Sequence, residues 1–338
     1  MLRASHLIGG LLISLCIFLL CCTIGSVQIP IVETGKILLA QFHLNVGEVN
    51  PQYQNILVNI RVPRIMATFL IGIALSLSGM TMQSLLKNPL ADGSTLGISA
   101  GASLGAALAI AFGFYLPNLY FGSTFMMAIL FSFLSLLIIL FFSYHLDQRM
   151  NNMTVILTGI MFSMLISSAL NLLIVFSNDK LKSIIFWTMG SLSGARYPDV
   201  IVLTIAVMIG GLMIGFNVQE LNAFAIGENI AHNLGVNVFR KRIILFIASS
   251  IMIGVSVSIA GSIPFVGLII PHISRLIVGP NHRKLVVAVI LIGGNFLMLA
   301  DLLARTMASP VEIPIGVITS LIGTITFLVI FARKKGRL

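Results

Sequence analysis

The chain has 338 residues, of which 58% are hydrophobic and only 9% are charged, and its mean hydropathy is +1.07. A soluble globular protein carries about a quarter charged residues, so this composition excludes that class and indicates a polytopic membrane protein. Twenty Lys and Arg outnumber ten Asp and Glu. These cations flank apolar stretches and form no basic stripe with interleaved aromatic residues, so nothing in the chain predicts nucleic-acid binding.

Ten apolar stretches predict an all-α fold with about ten transmembrane helices, because about 20 apolar residues cross a bilayer. We expect one membrane domain over residues 1–338. The first stretch holds Cys16, Cys21 and Cys22 without a metal-site or disulfide partner, and we expect it to remain as an uncleaved span. The eighth is short and contains Pro271. The predicted spans are 7–27, 65–86, 95–116, 121–143, 153–176, 200–216, 243–262, 265–278, 285–303 and 313–332.

The positions of the cations predict the orientation in the membrane. Ten spans place both ends of the chain on one side, and thirteen of the twenty Lys and Arg fall on that side together with residues 217–242. Cytoplasmic loops carry an excess of Lys and Arg. We therefore expect both termini and residues 217–242 in the cytosol, and the polar segments 28–64 and 177–199 outside. A short apolar stretch in the second of these, 184–189, predicts a re-entrant or surface helix.

Residues 217–242 form the only long polar segment between two strongly apolar spans on the cytosolic side. Gly227 interrupts a small apolar patch, and residues 228–234 predict two helical turns that Gly235 ends in a left-handed conformation. Glu228 lies at the positive end of that short helix. Two interpretations follow: a surface that another protein holds, or an amphipathic loop that lies on the lipid surface. The patch consists of Leu221, Phe224 and Ala225, and the predicted apolar face of the short helix consists of Ile230, Ala231 and Leu234.

Three glycines in the third predicted span share one helix face. Gly97, Gly101 and Gly105 recur at intervals of four residues. A stripe of small residues lets a neighbouring backbone approach closely, so this spacing predicts a tight helix–helix contact.

Several kinds of chemistry find no support in the sequence. No G-x-x-x-x-G-K-[ST] motif occurs, so the chain has no phosphate loop of its own. The six histidines are scattered, and the single carboxylate–histidine pair four residues apart, Glu228 and His232, supplies too few ligands for a metal, so we expect no metal site. Asp301 and Arg305, four residues apart near the outer end of the ninth span, predict a local ion pair. Few ionisable residues lie inside the predicted spans. A proton-coupled carrier or a cation channel would be expected to have more of them there, so both are disfavoured.

A series of short motifs runs along nearly the whole chain. They are 61–64 (RVPR), 78–79 (SG), 83 (Q), 88–91 (NPLA), 96–97 (LG), 101–102 (GA), 187–192 (WTMGSL), 234–236 (LGV), 261–268 (GSIPFVGL), 271–275 (PHISR), 282–283 (HR), 300–301 (AD), 305 (R) and 312–316 (EIPIG). This set resembles the FecCD-type permeases, the membrane subunits of ABC importers for iron-siderophores, haem and vitamin B12. The chain departs from the family at Ile325, where proline is frequent, and at Asn281, where aspartate is common.

The resemblance implies a BtuC-like permease of a type II ABC importer. Such a permease pairs with a second permease subunit, either a copy of itself or a related chain, about a central pathway. Two copies of a cytosolic ATPase would use ATP and Mg, so we expect neither enzyme activity nor a directly bound cofactor in this chain. Residues 217–242 would be the coupling loop that docks into the ATPase. The docking residues that the resemblance implies are Leu221, Gly227, Glu228, Ala231, Leu234 and Gly235.

Three arginines, Arg61, Arg64 and Arg305, are expected on the outer side. In the family, such arginines receive acidic residues of an extracytoplasmic substrate-binding protein. The chemistry fits, because a guanidinium group holds a carboxylate through two hydrogen bonds and attracts an acidic partner. For Arg64 the alternative is that the side chain snorkels to lipid headgroups.

The resemblance favours iron(III)-siderophore uptake, with hydroxamate types preferred, across the cytoplasmic membrane of a bacterium. Haem and vitamin B12 are the alternative cargoes. Two readings belong to other classes: an ion-coupled secondary carrier, and a membrane scaffold or receptor without transport. Proton or sodium dependence without ATP would identify the carrier, and absence of ATPase binding would identify the scaffold.

Overall fold

The computed structural model describes residues 4–41, 43–44, 47–93, 95–114, 122–148 and 150–335, and within these ranges it contains helices and no strand. Arg3, Arg149 and Arg337, three of the cations used to predict the orientation, lie outside the described residues. The helices are α1 (Ala4–Thr23), α2 (Ile31–Ala40), α3 (Pro51–Asn55), a π-helix (Ile56–Arg61), α4 (Val62–Leu85), α5 (Ile98–Phe112), α6 (Gly122–Leu146), α7 (Asn152–Phe176), a 3-10 turn (Asn178–Lys180), α8 (Leu181–Thr188), α9 (Tyr197–Phe216), α10 (Val218–Ile226), α11 (Glu228–Asn233), α12 (Val238–Ala260), α13 (Val266–Val278), α14 (His282–Thr306) and α15 (Ile315–Lys335).

Each predicted span coincides with one of these helices, which confirms the all-α fold with about ten spans. Within the described part of the chain, seven helices are long and apolar enough to cross a membrane by themselves. The other three, α5, α13 and α15, are shorter apolar helices.

The prediction that residues 28–64 form a polar segment before a span that starts at residue 65 is wrong. This region contains α2 and α3, and the second span begins at Pro51 and continues through the π-helix to Leu85 as a single run of 35 residues. The start has a local cause: the Asn50 side chain accepts hydrogen bonds from the backbone N–H groups of Gln52 and Tyr53. Proline at the first helical position and asparagine at the cap are both favourable there.

Helix α4 is the central helix of the bundle, and residues 71–86 are all buried. It runs antiparallel to α14. Ser84 meets His282 at one end of the pair, Gly72 packs on the backbone of Gly293 near its middle, and Arg64 meets Asp301 at the other end. The glycines bring the two backbones together, so the two ends of the molecule are joined by one tightly packed helix pair.

The glycine stripe of the third span is only partly helical. Gly97 precedes α5 and has a left-handed φ of +62°, whereas Gly101 and Gly105 lie within the helix and face α6. A Cβ on Gly101 would lie 2.7 Å from the carbonyl oxygen of Phe131 and would overlap the Ser135 hydroxyl group. The predicted close contact therefore exists between α5 and α6, with Gly97 acting as a turn residue before it.

Replacing Gly101 with alanine is expected to destabilise the protein by about 1–3 kcal/mol, because the added methyl group must push α5 and α6 apart. The control is Gly9→Ala in α1, where a Cβ meets no atom within 4 Å. That change is expected to leave stability unchanged or raise it by about 0.5–1 kcal/mol through the better helix propensity of alanine. Thermal unfolding in detergent measures both, and equal midpoints for the two variants would contradict the contact.

Helix α13 contains Pro271, which has no N–H group and leaves the carbonyl group of Gly267, four residues earlier, without its helical donor. Gln83 of α4 takes over that role: its Nε2 lies 3.3 Å from the Gly267 oxygen and 3.0 Å from the Leu268 oxygen. Arg275 donates to the Oε1 atom of the same amide. The glutamine side chain thus joins α4 to α13 where the helix ladder is interrupted.

Replacing Gln83 with leucine is expected to cost about 1–3 kcal/mol, since the buried carbonyl group of Gly267 loses its donor and Arg275 loses its acceptor. The cost should be smaller in a Pro271→Ala background, because alanine restores the backbone N–H that bonds to Gly267. A double-mutant cycle on thermal stability in detergent measures this difference. An equal cost in both backgrounds would show that Gln83 does not compensate for the proline.

The two departures from the family pattern have simple structural outcomes. Asn281 caps α14, with its Oδ1 atom 3.0 Å from the backbone nitrogen of Arg283, and asparagine serves this role as well as aspartate. Ile325 lies within α15, which runs unbroken from Ile315 to Lys335.

Candidate functional site at the two ends of the bundle

The helices α10 and α11 form the loop that joins α9 to α12. The helix break at Gly227 and the left-handed stop at Gly235, which has a φ of +80°, are confirmed. The backbone N–H of Gly235 bonds to the His232 oxygen and that of Val236 to the Ala231 oxygen, both characteristic of a Schellman motif. The local sequence therefore fixes the shape of this loop.

The apolar residues of the loop divide into an inner and an outer set. Leu221 and Ala231 are fully buried against the bundle, so neither is available to an external protein in this conformation. Ile226, Ile230 and Leu234 are exposed by 63%, 44% and 68%. We call these three residues the loop patch. Of the six predicted docking residues, Leu234 and Gly235 lie at the exposed surface with this patch, and Gly227 is buried beside Lys87.

Glu228 has a partner inside the chain. It accepts a hydrogen bond from the guanidinium group of Arg242, a residue of α12 that is almost completely buried. Arg242 also donates to the backbone oxygen of Met150 and, at 3.0 Å, to the side chain of Asn152. The predicted role of Glu228 as a contact for the ATPase therefore competes with an observed one, which is to hold α11 against α12 and the start of α7.

A second ion pair ties α10 to α12. The Lys241 Nζ atom lies 2.7 Å from the Oε1 atom of Glu220 and 2.6 Å from the Oδ1 atom of Asn217. Burial raises the pKa of the Glu220 carboxyl group, but the hydrogen bond and charge of Lys241 outweigh it, and the pKa lies below its ordinary value. The carboxylate is therefore charged at neutral pH, and this contribution to stability is lost as the pH falls through the lowered value.

The loop borders a surface cleft of about 590 Å³ between residues 226–230 and the segment 151–154. Lys87 forms part of its wall, and its Nζ donates to the Ile226 oxygen at 2.8 Å. The cleft and the loop patch together give an exposed apolar surface with a recess beside it. Such a surface is suited to receive side chains from another protein.

At the opposite end of the bundle, Arg64 is held by two carboxylates. Its guanidinium group lies 2.8–3.2 Å from the carboxylate oxygens of Asp301 and 2.9–3.0 Å from those of Glu312. The snorkelling alternative for Arg64 is wrong, because the side chain is buried and points to these partners. The predicted pair of Asp301 and Arg305 is confirmed, with a separation of 3.6 Å.

The other two arginines of this cluster hold the end of α1. Arg61 donates to the backbone oxygens of Cys22, Thr23 and Val27, and Arg305 donates to that of Cys21 at 2.8 Å. These are carbonyl groups at and after the C-terminus of α1, where cations are favourable. All three predicted docking arginines are thus buried and engaged within the chain, so an external carboxylate would have to displace these bonds.

Two contacts made by residues of the loop were not expected from the sequence. Arg242 was counted only as a cytosolic cation, and the hydrogen bonds of Asn222 with His282 had no signal beyond the HR motif at 282–283. Both join loop residues to spans. The hydrophobic pattern of the sequence cannot predict these contacts, because packing brings together helices that are distant in the chain.

Comparison with known proteins identifies the family. Residues 11–333 match the model of the FecCD transport family. The chain belongs to the FecCD transport family. The uncharacterized ABC transporter permease protein YvrB of Bacillus subtilis (strain 168) is 38% identical over 333 residues, covering 98% of this chain and 94% of YvrB. The molybdate import system permease protein MolB of Haemophilus influenzae (strain ATCC 51907 / DSM 11121 / KW20 / Rd) is 34% identical and covers 93% of this chain and 91% of MolB.

A solved structure supports the same assignment for this FecCD permease. It is described as an inward-facing conformation of a putative metal-chelate type ABC transporter, and it matches with a TM-score of 0.84 and 31% identity, covering 97% of this chain and 99% of that chain. The protein is therefore a multi-pass inner-membrane permease of the BtuC-like ABC importer type. Within such an importer, a permease is the subunit that spans the membrane.

Proposed function

We propose that this permease carries an iron(III)-siderophore, preferably of the hydroxamate type, across the cytoplasmic membrane of a bacterium, driven by ATP that a partner hydrolyses. The observation that carries the proposal is the exposed loop patch with the cleft beside it. It occurs on a FecCD permease whose sequence has no phosphate loop. Energy must then enter through contact with another protein. Haem and vitamin B12 are the alternative cargoes.

The loop 217–242 is the coupling element of this proposal, and both termini lie with it in the cytosol. Two copies of an ATPase dock on the loops of two permease subunits and use ATP and Mg. The contacts are made by Ile226, Ile230 and Leu234, with Gly235 setting the turn between them and α12. Leu221, Ala231 and Glu228 support this surface from behind, and Gly227 separates its two helices.

A second permease subunit, identical or related, completes the pathway, and an extracytoplasmic binding protein delivers the cargo at the opposite end. The acidic residues of that protein approach the end of α4 and α14, where Arg64 already binds a partly exposed carboxylate, Glu312. Docking through Arg61, Arg64 or Arg305 then requires exchange of an internal partner for an external one. Lipid surrounds the outward faces of the spans.

Two observations support the choice of cargo: the scarcity of ionisable side chains in the spans, and the cargoes of related permeases. Few ionisable side chains lie along the spans away from their ends, which suits a large chelate that passes weakly binding walls. Related permeases carry different cargoes: MolB is named for molybdate, and the solved relative for metal chelates. An iron(III)-siderophore is a metal chelate, like the cargo in the description of the solved relative. It is also a cargo of the FecCD-type permeases, whose motifs this chain shares.

Uptake by cells that lack this chain tests the function. The cells receive radioactive ferric hydroxamate, ferric catecholate, haem, cobalamin or molybdate, and are complemented with the wild type or with Leu234→Asp. We expect loss of ferric hydroxamate uptake, restored by the wild type and not by the variant. Leu234 is preferred to Glu228 for this purpose, because a change at Glu228 also breaks the buried pair with Arg242.

Other outcomes point to other functions. Loss of another cargo alone would replace the siderophore assignment and retain the importer. Uptake that depends on a proton or sodium gradient and not on ATP would favour the ion-coupled carrier. Full rescue by Leu234→Asp would refute docking through the loop patch.

A further inference from the structure

A partly buried polar contact joins the loop helix α10 to the first residue of α14. The Oδ1 atom of Asn222 lies 2.9 Å from the backbone nitrogen of His282 and 2.9 Å from its Nδ1 atom. The Nε2 atom on the other side of the same ring lies 2.6 Å from the Ser84 hydroxyl group of α4. Three helices that are distant in sequence thus meet at one imidazole ring.

The hydrogen bonds of this contact can be assigned from chemistry. A backbone N–H only donates, so the atom of Asn222 that faces it must be the carbonyl oxygen. That oxygen accepts from Nδ1 as well, so Nδ1 carries the hydrogen and Nε2 is left as an acceptor. The Ser84 hydroxyl group has one hydrogen, which it shares between Nε2 and the Met80 backbone oxygen, 2.9 Å from Oγ. The backbone N–H of His282 is also one of the unpaired donors at the start of α14, and Asn222 satisfies it from another helix.

This contact differs from the two ion pairs of the loop. Glu220 and Glu228 both pair with residues of α12, the span that directly follows the loop. Asn222 instead reaches α14, sixty residues further along the chain. Helix α14 packs antiparallel on α4, and its far end carries Asp301, which binds Arg64. Asn222 therefore links α10 to the helix pair that connects both ends of the molecule.

From this geometry we infer that Asn222 and His282 form a clasp through which movement of the coupling loop drives α14. This inference rests on the proposed function, since the movement comes from the partner ATPase. Asn222 and His282 are positioning residues: neither needs to touch ATP or the cargo. Ser84 fixes the ring on the α4 side.

The experiment compares Asn222→Leu and Asn222→Asp with the wild type. Leucine has a similar size and no acceptor, whereas aspartate retains an oxygen for both donors of His282. Each permease is reconstituted in liposomes with its ATPase and binding protein, and ATP hydrolysis and radioactive ferric hydroxamate transport are measured together. For Asn222→Leu we expect ATP hydrolysis within about twofold of the wild type and about tenfold less transport for each ATP hydrolysed. Asn222→Asp should restore the ratio.

Hydrogen exchange of the His282 backbone amide gives a readout that requires neither cargo nor ATPase. We expect faster exchange at this amide in Asn222→Leu and protection near the wild-type level in Asn222→Asp. An unchanged transport-to-ATP ratio in Asn222→Leu would refute the clasp, as would loss of ATPase binding in this variant, which would show a purely structural role. Hydrolysis without transport by the wild-type complex would refute the proposed function itself.

Discussion

Replacing Asp301 with leucine is expected to destabilise the permease by about 3–5 kcal/mol, the usual cost of removing one partner from a buried ion pair. Asp301 is 2% exposed in its side chain and lies between Arg64 and Arg305, so its loss leaves two buried guanidinium groups with one remaining carboxylate, that of Glu312. Thermal unfolding in detergent measures the effect, together with the yield of monodisperse protein.

The matched control is Glu312→Gln, which changes the other carboxylate on Arg64. The Glu312 side chain is 39% exposed, and water screens its charge. We expect a cost below about 1 kcal/mol, as for exposed ion pairs. If Asp301→Leu were as stable as Glu312→Gln, the cluster would not be the structural centre of this end of the molecule.

Replacing Leu234 with aspartate is expected to weaken ATPase binding at least about thirtyfold, because a charge would be buried at the centre of an apolar contact. The fold should not change, since Leu234 is 68% exposed and packs on little of its own chain. Binding of the purified ATPase to the permease in detergent measures the loss. The thermal unfolding midpoint of the free permease reports on the fold.

Val311→Asp provides a closely matched control for this change. Val311 is 69% exposed and lies next to Glu312, at the opposite end of the bundle, so the same type of substitution is made on a similarly exposed apolar residue. We expect normal ATPase binding by Val311→Asp. Equal weakening by both substitutions would mean that the added charge acts through general destabilisation and that the loop patch is not the docking surface.

The sequence was sufficient to predict the spans, because hydropathy is a local property that the membrane imposes on each stretch of about 20 residues. The break at Gly227 and the stop at Gly235 were predictable for the same reason, since turn chemistry involves neighbouring residues. The start of the second span at Pro51 was missed although Asn50 and Pro51 carry the signal. It was hidden because the helix begins in a polar segment.

The inner and outer faces of the loop could be separated only in part. Ile230, Ala231 and Leu234 were assigned to one apolar face, yet residues 230 and 234 lie on one side of a helix while residue 231 is turned by about 100° from residue 230. The structure exposes the first two and buries Ala231. In a helix as short as α11, apolar residues occur on both sides, and only packing against α12 decides which side is covered.

The partners of the buried arginines could not be predicted from the sequence. Arg64 is separated from Asp301 by 237 residues and from Glu312 by 248, and Arg61 and Arg305 bind backbone oxygens that carry no sequence signal. An arginine in a polar segment beside a span looks the same whether it faces a partner protein or an internal carboxylate. Burial distinguishes the two, and burial is a property of the assembled bundle.

The separation between Arg64 and its carboxylates also affects how the protein is made. Spans enter the membrane in the order of synthesis, and the second span precedes both Asp301 and Glu312. During the insertion of six further spans the guanidinium group has neither of its counter-charges, and it must be solvated by water or headgroups at the membrane surface. The end of α4 can reach its final depth only after α14 has arrived. In ribosome-bound chains that end before residue 301, the end of the bundle that holds Arg64 is therefore expected to be more loosely packed than in the finished permease.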